Sequence, residues 1–179
     1  MKCVLLACVV LGLVAGASPA ASAQEKQPAM GISAIPQTPE WRAIKSLAGN
    51  WEGSYEVEGK KMPATVEVRV TGDGSAVMHV AAKDTPYEMV TMFHPDGDRL
   101  LATHYCAAHN QPRMALIKAQ APNQIGFEFV DGTNIKPGDT YMKRLVLTII
   151  DADHHNETWT SVAGGKETPP MVLTYSRKK

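Results

Sequence analysis

Gly49-Asn50-Trp51-Glu52-Gly53-Ser54-Tyr55-Glu56-Val57-Glu58 is the stretch on which the fold turns. Trp51, Gly53, Tyr55 and Val57 alternate with Glu52, Ser54, Glu56 and Glu58, the period-two pattern of a strand with one buried and one solvated face. Downstream, after a turn at Gly59-Lys60-Lys61, Ala64, Val66, Val68 and Val70 alternate with Thr65, Glu67 and Arg69. Eight more runs follow: 76–81, 87–94, 99–107, 113–119, 124–130, 141–150, 157–162 and 171–177. Turn chemistry separates them, at Thr71-Gly72-Asp73-Gly74, Pro95-Asp96-Gly97-Asp98, Ala121-Pro122-Asn123, Asp151-Ala152-Asp153 and Ala163-Gly164-Gly165-Lys166. Parallel neighbours need crossovers of about a dozen residues. Only Asp131 to Thr140 approaches that length, so the sheet is antiparallel. About ten short strands joined by hairpins hide their edges best by closing into an up-and-down barrel. The expected fold is therefore all-β, an antiparallel barrel of about ten strands.

Upstream of Gly49 the pattern changes to helical spacing. Trp41, Ile44 and Leu47 share one face, Thr38 suits the N-cap, Pro39 the first turn, and Gly49 a stop, which predicts one short helix from about Pro39 to Ala48. Residues 24–37, with Pro28, Gly31 and Pro36, read as a flexible leader, leaving 38–179 as the barrel domain. Met1-Lys2, the apolar run Cys3 to Ala15 and the small residues ending Ala21-Ser22-Ala23 read as a secretory signal peptide, residues 1–23, cleaved near Ala23. The expected location is the periplasm or the exterior. Removing those 23 residues leaves 156 of the 179, with Cys106 as the one remaining cysteine and 17 basic against 18 acidic side chains. An intrachain disulfide is thereby excluded, and the core must hold the domain together.

Composition narrows the partners. A balanced 18 basic and 18 acidic side chains, with no Lys/Arg cluster, argues against nucleic acid. With 44% hydrophobic residues the chain is too apolar for general disorder. The apolar run at residues 3–15 is too short for a membrane anchor, so no transmembrane segment is expected.

A short helix leading into Gly49-Asn50-Trp51, followed by a meander ending in Leu173-Thr174-Tyr175-Ser176-Arg177, resembles the calycin superfamily of lipocalins, fatty-acid-binding proteins and nitrobindin-like haem barrels. The resemblance implies that Trp51 closes the barrel floor and that Arg177 packs over its ring, a cation–π contact worth roughly 0.5 to 2 kcal/mol. It extends over nearly the whole domain, although the motif is short. Ten strands match the fatty-acid-binding and nitrobindin-like branches better than the eight of lipocalins. A late Thr-Asp-Tyr and a cysteine pair, both lipocalin features, are missing from this sequence. Basic residues for a ligand carboxylate are not assigned by motif; Arg113 and Arg144 are candidates only. Residues 103–114 are also similar to a segment of uncharacterised exported bacterial barrels.

The densest polar cluster is His104, Tyr105, Cys106, His109, Asn110, Gln111 and Arg113. A nucleophilic reading pairs Cys106 with His104 or His109 and Asn110, but His104 and Cys106 lie two apart on a strand, with Cβ atoms about 7 Å apart. Cys106 as a small buried apolar residue is the simpler reading. For a metal, three or four ligands must converge at about 2.0 to 2.3 Å. With Pro95 to Asp98 as the turn, His94 falls opposite Arg99 and His104 opposite Met89, too far apart to share an ion. His154-His155 reads as exposed turn. A haem, which needs one imidazole and an apolar pocket, stays open with no histidine singled out.

The same register sets Glu88 opposite Tyr105, and a turn at Ala82 to Thr85 sets His79 opposite Glu88. This gives a polar row of His79, Glu88 and Tyr105. Alternation leaves open whether the row lines the lumen or forms a solvated stripe. Met78, Met89, Met92, Met114, Met142 and Met171 fall in strands, as ordinary core or as the wall of a cavity. The loops at 131–140 and 109–113 mark the expected entrance. The function expected is a binding protein holding a small apolar or amphipathic molecule, with ligand-binding candidates His79, Glu88, His104, Tyr105, Cys106, Asn110, Gln111 and Arg113. A haem barrel, a histidine-centred enzyme and a ligand-free interaction module are the alternatives.

Overall fold

The computed structural model describes residues 34–179, so the signal peptide reading and most of the leader lie outside the described residues. Helix α1 (Pro39–Ser46) starts as its capping residues dictate: the Thr38 hydroxyl accepts from the Trp41 N–H at 3.1 Å. The strands are β1 (Gly49–Val57), β2 (Lys60–Thr71), β3 (Ala76–Ala81), β4 (Met89–Asp96), β5 (Arg99–Tyr105), β6 (Gln111–Ile117), β7 (Gln124–Thr133), β8 (Tyr141–Ile149), β9 (His154–Ala163), β10 (Lys166–Glu167) and β11 (Met171–Arg177). Each of β1 to β9 pairs antiparallel with the next, β9 pairs with β11, and β11 returns to β1. The two-residue β10 only extends β9, so ten strands form the closed wall.

Alternation decides what lies inside. Trp51, Val66, Val68, Val77, Phe93, Ala102, Met114, Phe127, Leu145 and Leu147 all point into the lumen and form one continuous core. Helix α1 lays Trp41 and Ile44, with Leu47 just beyond it, across one end. There Trp51 donates from Nε1 to the Leu47 carbonyl at 2.8 Å, and the Arg177 guanidinium sits 4.1 Å from the Trp51 ring centre. Arg177 also donates to the carbonyls of Ala48, Ser46 and Ala152, joining helix, last strand and β8–β9 turn. Trp51 and Arg177 thus meet where α1 crosses the barrel end. The opposite end carries the loops at 82–88, 106–110 and 134–140.

Two expected registers are corrected. The β4–β5 hairpin pairs Asp96 with Arg99 across a two-residue turn, Gly97-Asp98, so Thr91 rather than Met89 stands opposite His104, and Leu101 rather than Arg99 opposite His94. In β3–β4, Ala81 pairs with Met89 across seven residues, which puts Thr91 opposite His79. Of the two readings of the strand methionines, ordinary core is the one seen: Met114 is fully buried and the other five are half-buried. The clefts of about 450 and 910 Å³ lie on the outer wall, one over β6–β9 beside Glu128 and Arg144, the other beside Glu52, Ser54, Pro63 and Asn156.

Candidate functional site

The barrel interior changes character midway along its axis. Above the apolar layer Val77–Phe93–Ala102, the next inward position on β3, β4 and β5 is His79, Thr91 and His104, adjacent across three strands. Thr91 Oγ and His104 Nδ1 are 2.8 Å apart, which fixes the imidazole and leaves Nε2 as its free atom. From β9, period-two spacing sends His155, Glu157 and Trp159 into the same space.

Glu157, 1% exposed, is the centre of the group. Its Oε1 accepts from His79 Nε2 at 2.7 Å and from His155 Nε2 at 3.4 Å, and its Oε2 accepts from Trp159 Nε1 at 2.9 Å. The Tyr175 ring stacks on His155 with centres 5.0 Å apart, and Trp51 meets the same imidazole edge-on at 4.3 Å. His104 lies 5.0 Å from the Trp159 ring.

Burial and charge pull these groups in opposite directions. Burial alone would raise the Glu157 carboxyl, but the charge of His79 and the hydrogen bonds from His155 and His79 hold it well below the usual carboxylate range. For His79 burial acts downward, and the field and hydrogen bond of Glu157 outweigh it, so the imidazole stays above its ordinary value. His104 has no such partner: burial, reinforced by the charge on His79, pushes it down to about 4. The lumen therefore sets a carboxylate that holds its charge beside a His79 imidazole that keeps a proton more readily than usual, while His104 resists one. The Tyr175 phenol is pushed up by burial and then by Glu157.

Four buried polar atoms in and around this group have no hydrogen-bond partner: His79 Nδ1, His104 Nε2, His155 Nδ1 and Asn110 Oδ1. Native proteins pair more than about nine in ten such atoms, so the free nitrogens of His79 and His104, whose strands are joined by β4, stand out as groups able to meet a ligand.

The sequence candidates separate by face. His79 and His104 point inward, and Asn110, in the β5–β6 loop, is buried with its Nδ2 donating to the Thr140 carbonyl at 2.8 Å. That bond ties together the two loops expected at the entrance. Cys106 is half-buried and shares His104's side by alternation. The remaining four are not lumen groups, which corrects the expected His79–Glu88–Tyr105 row. Glu88 is exposed and accepts from the Asp84 N–H, Tyr105 is 50% exposed, Gln111 Oε1 accepts from Thr133 and Asn134, and Arg113 pairs with Asp131 on the outer wall. Arg144 is likewise taken, by Glu128. His155, expected in an exposed turn, is fully buried. Thr91, His155, Glu157 and Trp159 were missed. The alternation His155-x-Glu157-x-Trp159 carried the signal for three of them, hidden by starting the strand at Glu157.

Among the described residues no three His, Cys, Asp or Glu are spaced to ligate one ion. The group does not fit a haem either. His104 Nε2 is free, but the imidazole is 3% exposed, faces the Trp159 ring at 5.0 Å, and lies in a packed lumen rather than beside a slot for a macrocycle.

Comparison with known proteins bears on the fold alone. Among solved structures the chain is similar to Rv2717c from M. tuberculosis, with a TM-score of 0.56 and 13% identity over 79% of this chain and 99% of that one. It is also similar to a DUF3598-family protein of unknown function from Nostoc punctiforme, with a TM-score of 0.53 and 13% identity over 75% of this chain and 48% of that one. No family model and no curated protein matches the chain. The closed ten-strand wall and these neighbours fit a calycin-like barrel.

Proposed function

We propose that the protein is an exported binding protein that holds a small amphipathic molecule at the end of the barrel opposite α1. The observation that carries this reading is the set of unpartnered, buried polar atoms of His79, His104 and Asn110. A barrel needing only stability would fill those positions with aliphatic side chains, because buried polar groups without partners cost about 1 to 3 kcal/mol each. The ligand's polar end meets the His79–Thr91–His104 row. Its apolar part lies against Tyr55, Met142 and Met171, which pack half-buried on the core. Packing of the deeper lumen confines the ligand to this end, and the flexible methionines give way to admit it. No helix among the described residues is long and apolar enough to cross a membrane, and the signal-peptide pattern at residues 1–23 supports a periplasmic or secreted location.

Native mass spectrometry of the mature protein, purified without detergent, tests the proposal. The expected result is a copurifying small mass that His104→Gln weakens. A bare polypeptide mass, together with a melting curve unmoved by a panel of small amphiphiles, would overturn it. N-terminal sequencing of the exported form checks cleavage near Ala23.

A further inference from the structure

We propose that the row His79–Thr91–His104 receives the carboxylate of a small organic acid, and that binding takes up one proton from solvent. The inference rests on the binding reading above and adds the chemical class of the ligand.

Placement comes first. His104 and His79 flank Thr91 across three adjacent strands, so their rings reach into the same part of the lumen. Thr91 occupies Nδ1 of His104 and Glu157 occupies Nε2 of His79. What remains is His104 Nε2 and His79 Nδ1, neither of which has a hydrogen-bond partner. Both imidazoles are more than nine-tenths buried, as is Asn110, whose Oδ1 is also free. Glu157 favours the protonated form of His79, in which Nδ1 is an N–H donor without a hydrogen-bond partner.

Charge then selects the ligand. The groups set against His104 are Thr91 from β4, His79 from β3, and Trp159 and Glu157 from β9, with Cys106 two residues further along its own chain. An ammonium ligand would meet the charge of His79 and find both oxygens of Glu157 already engaged by three donors. A carboxylate meets donors instead. Glu157 and His79 cancel each other, so an entering carboxylate would leave one uncompensated buried charge, which is costly. His104 removes that cost. It is neutral in the free protein because it is buried without a counter-charge, and the ligand carboxylate supplies one. One proton passes from solvent to Nε2 of His104 and is shared with the ligand oxygen; no other bond is made or broken.

Calorimetry on the mature protein with three probes of one shape tests this: benzoate, benzyl alcohol and benzylamine, each at pH 5.5 and 7.5 and in two buffers of different ionisation enthalpy. The emission of Trp159, in contact with His104, gives an independent binding signal. Expected is preference for benzoate, uptake of close to one proton per benzoate, and affinity rising by up to about tenfold per unit fall in pH. His104→Gln keeps a hydrogen-bonding side chain but cannot titrate, so it should flatten the pH dependence and abolish the uptake. Benzoate binding without proton uptake by the unmodified protein overturns the inference, whatever the variant does. Benzyl alcohol or benzylamine binding in preference to benzoate overturns it too, while leaving the binding reading intact. Failure of all three probes to bind sinks both.

Discussion

Glu157 is the residue that makes this barrel unusual for its own stability. A fully buried carboxylate survives because three N–H groups converge on it and His79 carries the matching charge. Removing one partner strands the other. Glu157→Gln is expected to cost about 3 to 5 kcal/mol in urea unfolding, while the double replacement His79→Leu with Glu157→Leu costs much less than the two single changes added together. The pH dependence follows from the directions of the shifts. His79 is raised, so its share of stability is complete below its ordinary value of 6.5 and is lost as pH climbs through the raised one. Glu157 is lowered, so the same pair is fully effective above 4.5 and fails as pH falls through the lowered value. Both place the pair's maximum between 4.5 and 6.5. His104 acts against it there: folded, it refuses until about pH 4 a proton that the unfolded chain takes near 6.5, so stability drains away between those values by on the order of 3 kcal/mol. Melting temperatures across pH 4 to 7.5 should therefore fall toward acid, and His104→Gln should flatten that fall. At this scale the sequence was only half legible. His79, His104 and Asn110 stood out as polar residues in or beside strands, yet Glu157 resembled any solvated glutamate, because nothing local records that its three donors arrive from β3 and from its own strand.

Elements were more legible than residues, and their errors have a geometric cause. The capping of α1 by Thr38 and the strand pattern of β1 follow from local chemistry, and both appear as read. Register depends on where a turn begins. Choosing a four-residue turn at Pro95 to Asp98 in place of the two-residue Gly97-Asp98 shifted β4 against β5 by two, which preserves the faces. Misplacing the β3–β4 connection shifted its register by three, an odd number, which turned His79 toward Glu88 on paper and toward Thr91 in fact. Positive φ at Ala82 and Asp84 lets that connection run to seven residues, a property not visible in either residue type. The floor gives the element-scale predictions. Trp51→Ala should cost roughly 3 to 5 kcal/mol, by loss of its packing and its bond to Leu47. Arg177→Ala, expected from the ring contact alone to cost about 1, should cost about 2 kcal/mol because three main-chain carbonyls lose their donor. Gly53 is constrained by space: a Cβ there would overlap the Thr174 carbonyl oxygen, so Gly53→Ala should separate β1 from β11 and lower the thermal midpoint.

At the scale of the whole molecule, the barrel is a chain of nearest-neighbour hairpins with a single long-range closure. Nine of its ten wall contacts join strands that follow one another along the meander, if the two-residue β10 is set aside; the tenth joins β1 to β11, pairing Trp51 with Arg177 from opposite ends of the domain. Local pairs form cheaply, but the closure brings distant segments together and pays the largest loop entropy. It also buries what matters most. Leu173 and Tyr175 enter the lumen from β11, Tyr175 stacks on His155, and Arg177 completes the floor over Trp51. Without β11, β1 and β9 become open edges and the Glu157 group loses one wall. A chain ending at Pro170 should therefore fail to fold as a monomer, in contrast to an ordinary edge-strand deletion from an open sheet, which leaves the remaining strands paired. Circular dichroism and gel filtration of that truncation should show loss of the cooperative melt and aggregation. Adding a peptide of residues 171–179 should restore the β-sheet signal by re-pairing with both β1 and β9. A truncated chain that melts cooperatively would show instead that the nine remaining strands close on their own, and that β11 is an accessory to the barrel rather than the strand that shuts it.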